Sequence, residues 1–247
     1  MMKIVAVGGG SIGFGAAKSE VTPLSREMIR LTGKRRPRMI FLPTASLDDR
    51  AYTRAVESHF KKLGCLVETL PLWKNPPPFS QMKKQILGAD LIYVGGGNTL
   101  KMIGLWKRLG LLALLHKAAK RGQVLAGTSA GAICWFAAGN SDSRKYKNPK
   151  AGLIKVTGLG LVDAMACPHY DVEKDRKPEL KRMTRGFSKV AIALDNCAAL
   201  EVVGERCRVI ASTPKAGGYK VYWRRGEFFT TAIGPQWVSL TKLLSKE

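Results

Sequence analysis

A chain of 247 residues, 45% of them hydrophobic, can bury a sizeable core as one large α/β domain. No apolar stretch approaches the ~20 residues that cross a bilayer, and the run Ile4–Val7 is too short for a signal peptide, so a cytoplasmic protein without a membrane partner is expected. The net charge of +23 is scattered in small clusters such as Lys34-Arg35-Arg36 and Arg224-Arg225, without the interleaved aromatics of a nucleic-acid groove; a generally basic surface is expected, not a specific nucleic-acid site.

Strand-length apolar runs alternate with helix-like segments, a pattern of a mostly parallel sheet covered by helices on both faces. A strand over 3–8 leads into Gly8-Gly9-Gly10, and a helix follows over about 15–32. The spacing then predicts a strand over 39–43, a helix over 48–63, a strand over 65–70, a proline loop at Asn75-Pro76-Pro77-Pro78, a helix over 79–88 and a strand over 90–94. Gly95-Gly96-Gly97-Asn98 turns into helices over 98–108 and 110–121. A strand over 123–127 meets a sharp turn with a helix from 130, and 138–160 reads as a polar loop. Strands follow over 163–167, 189–194, 198–203, 206–212 and 219–224, with a helix over 174–186. Short turns such as Val203-Gly204-Glu205 suit an antiparallel hairpin at the sheet edge. One domain over 1–247 accounts for the pattern.

Gly127-Thr128-Ser129-Ala130-Gly131 follows an apolar strand and precedes a helix-like run, the context a nucleophile elbow needs. Small flanking residues allow the tight turn; the backbone N–H of Ala130 and the helix N-terminus behind it would face a developing oxyanion. The simpler reading is a small-residue turn with a capping serine. Gly95-Gly96-Gly97 ends a neighbouring strand at the same sheet edge, and its glycine backbone, Gly96 or Gly97, could supply a second oxyanion donor; its simpler role is helix entry.

A serine nucleophile needs a base within hydrogen-bond reach. Of three histidines, His59 and His116 fall in amphipathic helices, whereas His169 follows Ala164-Met165-Ala166-Cys167 and a proline at a strand's carboxyl end. Ser129 and His169 should therefore emerge at one edge and face each other. For the residue that orients the imidazole, Asp142, Asp163, Asp171, Glu173 and Asp195 are candidates. Asp142 lies 13 residues past the serine, in a segment able to fold back. Five cysteines, without a Cys-x-x-Cys pair, suggest neither disulfides nor zinc. No metal or organic cofactor is implied. Gly8-Gly9-Gly10-Ser11-Ile12-Gly13 fits a dinucleotide fingerprint, but the second strand ends Leu42-Pro43-Thr44-Ala45 without the acid that fingerprint wants.

Taken together, Phe41-Leu42-Pro43-Thr44-Ala45-Ser46, Val94-Gly95-Gly96-Gly97-Asn98-Thr99, Gly127-Thr128-Ser129-Ala130-Gly131-Ala132, Ser141-Asp142-Ser143, Gly158-Leu159-Gly160-Leu161, Cys167-Pro168-His169-Tyr170-Asp171 and Leu194-Asp195-Asn196-Cys197 resemble the peptidase E and cyanophycinase family of serine exopeptidases over nearly the whole chain. The resemblance implies a three-layer α/β sandwich similar to class I glutamine amidotransferases, with a mostly parallel central sheet and an antiparallel edge hairpin. It implies Ser129 as nucleophile, His169 as base, Asp142 as acid, and Gly96, Gly97 and Ala130 as oxyanion donors. Asn98 would touch substrate, a small peptide that begins with aspartate, in a monomer or homodimer; apart from the resemblance, Arg144 or Lys145 is expected to bind a substrate carboxylate, the simpler reading being a solvated loop. The sequence departs from that pattern in the basic run Ser143-Arg144-Lys145-Tyr146-Lys147 beside the expected site. Two other readings are a cyanophycinase-like isopeptidase and a non-catalytic basic binding module on the same fold.

Overall fold

The computed structural model describes residues 1–13 and 19–247. Five parallel strands form one side of the first sheet, out to its edge at β3: β1 (Lys3–Val7), β2 (Arg38–Leu42), β3 (Leu66–Thr69), β4 (Leu91–Val94) and β5 (Val124–Thr128). Their spatial order is β1-β5-β4-β2-β3. Side chains alternate between two cores, as period-2 geometry requires. On one face Val5, Val7, Met39, Phe41 and Tyr93 pack against α1 (Thr22–Leu31) and α2 (Arg50–Lys62). On the other, Ile4, Ala6, Ile40, Leu42 and Ile92 pack against α3 (Phe79–Gly88), α4 (Thr99–Arg108) and α5 (Leu111–Lys120).

Four strand assignments depart from the sequence expectation. The segment expected as a loop holds β6 (Phe136–Ser141) and β7 (Ile154–Thr157), and two further strands, β13 (Glu227–Ile233) and β14 (Val238–Ser239), follow near the C-terminus. The strand β8 (Val162–Cys167) stands parallel to both β6 and β9 (Ala191–Leu194). Together with β12 (Gly218–Arg224) they build a second sheet in the order β13-β12-β9-β8-β6-β7. Asn140 and Ser141 look like loop residues yet are buried, because Asn140 accepts from Arg176 and the Ser141 hydroxyl bonds that of Ser143. Hydrogen bonds to their oxygens, not hydrophobicity, hold them in a strand, although Asn140 Nδ2 is buried without a partner among the described residues. The second sheet shares its inner face (Val162, Ala164, Ala166, Ile192) with the core around Leu125 and covers its outer face with α7 (Arg176–Arg185). The expected hairpin is present as β10 (Ala198–Val203) and β11 (Arg206–Ala211), added antiparallel beside β1, with β14 beyond and a final helix α8 (Leu240–Leu244).

The helix expected from 130 is a single turn, α6 (Ala130–Ile133). The chain leaves it because the carbonyls of Cys134 and Trp135 accept from Leu159 and Val162 instead of from later residues of a helix. The helix expected over 15–32 begins at Thr22; residues 15–18 of that range lie outside the described residues. All five cysteines are free and buried.

Two glycines let the elbow pack. A Cβ on Gly127 would lie 2.4 Å from the Gly131 carbonyl oxygen, and one on Gly131 would lie 2.1 Å from that of Val94. Gly131→Ala is therefore expected to cost about 1–3 kcal/mol of stability, read from urea unfolding; an unchanged midpoint would contradict this packing.

Candidate active site

Three successive carbonyls at the end of β1 hold the site together. Val7 accepts from the N–H of Ser129 at 3.0 Å, Gly8 from that of His169 at 3.1 Å, and Gly9 from that of Cys197 at 3.0 Å. The three donating residues have φ of 54°, 54° and 64°. Such values are uncommon outside glycine and cost of order 1–3 kcal/mol each, so the surrounding contacts must enforce them. The glycine turn allows the close approach: a Cβ on Gly9 would sit 2.0 Å from Asn196 Oδ1 and 2.5 Å from the His169 ring. This steric need explains the glycines that mimic a dinucleotide fingerprint; residues 8–13 are not helical.

Ser129 stands at the elbow after β5 with φ 54° and ψ −111°. His169 follows β8, and its Nε2 lies 2.9 Å from Ser129 Oγ. The other ring nitrogen, Nδ1, lies 2.7 Å from Oδ1 of Asn196. An amide oxygen only accepts, so Nδ1 carries the proton and Nε2 presents its lone pair to the serine hydroxyl. Asn196 is fixed in turn, its N–H donating to Asp171 Oδ1 at 2.9 Å.

Asp142 does not orient His169. Because 136–141 is an extended strand and not a fold-back loop, it carries residue 142 to the start of α4. There Ser143 Oγ accepts from Leu100 N–H, and the Asp142 carboxylate has no hydrogen bond among the described residues. The remaining acids are engaged elsewhere. Asp163 pairs with Lys189 and Glu173 with Arg176. Asp195 accepts from Gly217 N–H at 3.0 Å, and burial raises its carboxyl above the usual range despite that bond. Asn196 is the residue the sequence reading missed. It lies in the Leu194–Cys197 segment, next to the candidate acid Asp195, but an uncharged amide carries no local signal that it will face an imidazole.

The oxyanion side is built from the β4 and β5 turns. Gly96 flanks Ser129, since a Cβ there would lie 3.4 Å from that of the serine, but its N–H donates to the Tyr52 hydroxyl at 3.3 Å. The N–H groups of Gly97 and Ala130 have no partner among the described residues. Gly97 adopts φ +134° against the Ala45 carbonyl, where a Cβ would come within 2.2 Å. With α6 only one turn long, these donors act as individual N–H groups and not through a long helix dipole. Asn98, expected to touch substrate, is instead structural. Its Oδ1 caps α4 through Lys101 N–H at 3.0 Å, its Nδ2 donates to Ser143 O at 2.9 Å, and it is 4% exposed. Arg144 is exposed, and its side chain makes no ion pair among the described residues.

The family model for peptidase family S51 matches residues 4–210, which include every residue of this arrangement. The chain belongs to peptidase family S51. As a peptidase it has extensive relatives. The uncharacterized peptidase YgaJ of Bacillus subtilis (strain 168) is 38% identical over 224 residues, 90% of this chain and 92% of the relative. Peptidase E of Streptomyces coelicolor is 29% identical over 133 residues, 54% of this chain and 51% of the relative. In fold, this peptidase is similar to the crystal structure of a peptidase from an acI-B1 Actinobacterium, with TM-score 0.70 and 18% identity over 97% of both chains. It is also similar to a putative peptidase E from Listeria monocytogenes EGD-e, with TM-score 0.65 and 23% identity over 85% of this chain and 98% of that one. Among the described residues no cluster of His, Cys, Asp and Glu could hold a metal, and no helix is long and apolar enough to cross a membrane. An open cleft between Asp48, Arg54 and Lys74, at the β2–β3 edge, is lined by neither Ser129 nor His169; the chemistry locates the site.

Asn196→Ala is expected to lower kcat on the order of 10²-fold. Asn196→Asp places a carboxylate on Nδ1 and favours the imidazolium, so the acid limb of the kcat/KM profile moves to higher pH. A limb that stays in place would contradict the contact. Asp142→Asn should leave kcat close to that of the wild type.

Proposed function

We propose that this peptidase is a serine exopeptidase that releases aspartate from the N-terminus of short peptides through an acyl-enzyme on Ser129. The observation that carries the mechanism is the chain of contacts from Asn196 Oδ1 through His169 to Ser129 Oγ. Ser129 Oγ attacks the scissile carbonyl as its proton passes to Nε2. The oxyanion that forms is met by the free N–H groups of Ala130 and Gly97. His169 then returns the proton to the leaving amine, and water repeats the sequence on the acyl ester to free the acid. Asn196 keeps the imidazole in the required tautomer throughout. Being neutral, it offers the transient imidazolium a dipole but no counter-charge, so turnover relies on positioning more than on charge stabilisation.

The aspartate preference rests on two supports. Relatives named peptidase E match part of the chain, and a protein of charge +23 draws anionic substrates. Arg144, exposed and without a carboxylate partner among the described residues, is the cation assigned to the substrate carboxylate. A β-aspartyl-arginine substrate fits worse, because its basic product is repelled by the same field.

Hydrolysis of Asp-Leu, Ala-Leu and β-aspartyl-arginine by the purified protein tests the reading. Asp-Leu should be cut fastest, and Ser129→Ala should lower its kcat/KM by at least about 10³-fold. Arg144→Ala should lower the rate on Asp-Leu more than on Ala-Leu. Hydrolysis that survives Ser129→Ala would exclude the acyl-enzyme, and equal relative losses in Arg144→Ala would remove the role of that cation.

A further inference from the structure

A cavity of about 140 Å³ lies beneath the site, on the α1–α2 side of the first sheet. It adjoins all three working parts at a distance of one residue. Thr128 in its wall precedes Ser129; Gly10 follows the Gly9 pressed against His169; and Tyr52 holds the Gly96 N–H of the oxyanion turn. Val7, Ile12, Val21 and Met28 are the aliphatic residues of its wall, which also carries Ser11, Ser25, Tyr52, Tyr93 and Thr128. Among the described residues no Lys, Arg, Asp or Glu lines it. Three of its five hydroxyls are engaged: Ser25 Oγ lies 2.9 Å from His59 Nε2 and donates to Val21 O at 3.1 Å, Tyr52 accepts from Gly96, and Ser11 accepts from Gly13 N–H at 3.0 Å. A dry cavity of about 150 Å³ holds a benzene-sized apolar group. A carboxylate placed in this one would be buried without a cation, at a cost of several kcal/mol.

We propose that this cavity is a specificity pocket for an uncharged, apolar side chain on the amine side of the scissile bond. The assignment rests on the serine exopeptidase reading above. In that reading the acyl residue is aspartate, whose charge the cavity rejects, so the apolar space is left to the residue that departs. The geometry agrees. The acyl carbonyl is drawn toward the N–H groups of Gly97 and Ala130, whereas the amine must lie against His169 Nε2, and the Gly10–Ile12 wall continues from the glycine under that ring. The substrate class is thus a short peptide with aspartate first and a branched aliphatic or similar apolar residue second.

Asp-X dipeptides with X as Gly, Ala, Leu, Lys and Glu, assayed with wild type and Ile12→Trp, test the pocket. Ile12 lies in a loop, so the larger ring threatens the fold less than a change on α1 would. Wild-type kcat/KM should rise at least about 10-fold from Gly to Leu and fall for Lys and Glu. Ile12→Trp should fill the space and shrink the Leu-over-Gly ratio, whereas Ile12→Ala should move the preference to larger X. Equal kcat/KM across X, or an unchanged Leu-over-Gly ratio in both variants, overturns the pocket while leaving the exopeptidase reading intact. Calorimetric binding of the same peptides to Ser129→Ala separates the two claims. Tighter binding of Asp-Leu than of Asp-Gly, with no turnover by wild type, sustains the pocket and overturns the exopeptidase reading; binding that is absent or indifferent to X overturns the pocket.

Discussion

Everything in the site is registered against the last residues of β1. Three consecutive peptide carbonyls, of Val7, Gly8 and Gly9, accept from the N–H groups of Ser129, of His169 and of Cys197, the residue after Asn196. These partners come from three segments distant in sequence, and each pays for its place with a left-handed backbone. One short strand therefore works as a jig. Its central position, between β5 and β10, makes this possible, because it is the only strand with the Ser129 turn on one side and the Asn196 turn on the other. The glycines that follow it keep the surface bare enough for an imidazole and an amide to lie on it.

The second consequence concerns charge. A carboxylate beside the histidine would orient the ring and also stabilise its cation. Here orientation comes from an amide, and the nearest buried carboxylate, Asp195, spends its bonds on Gly217 and Tyr219 in the β12 strand region. The carboxylate of Asp171 acts one step further out, on the backbone of Asn196. Negative charge is thus kept off the imidazole itself, in a protein whose surface is strongly positive. In the proposed acyl-enzyme mechanism, such an arrangement would place the burden of catalysis on distances and on the free N–H groups of Gly97 and Ala130.

Local chemistry was readable from the sequence, and long-range chemistry was not. Ser129 could be found because an elbow is written within five residues, and His169 because strand, proline and histidine are contiguous. Most strands and helices emerged for the same reason, each carrying its own periodicity. Asn196 could not be found this way, since its role depends on β10 lying beside β1, a pairing that no local pattern announces. Asn98 misled in the opposite direction: a polar residue at the oxyanion turn looks like a ligand, yet both of its polar atoms are consumed by α4 and Ser143. The second sheet was obscured because β6 ends in small and polar residues, whose oxygens are bonded in the interior by Arg176 and neighbouring hydroxyls. That one misreading also displaced Asp142, which a loop could have returned to the histidine and a strand cannot.

The central claim is that Ser129 is made nucleophilic by the imidazole held against it. Intact-mass and peptide-mapping measurements after brief exposure to a fluorophosphonate test it most directly. One adduct per chain, located on Ser129 and formed far more slowly in His169→Ala, is the expected result. No adduct on the folded protein, or an adduct on another side chain, would contradict the account.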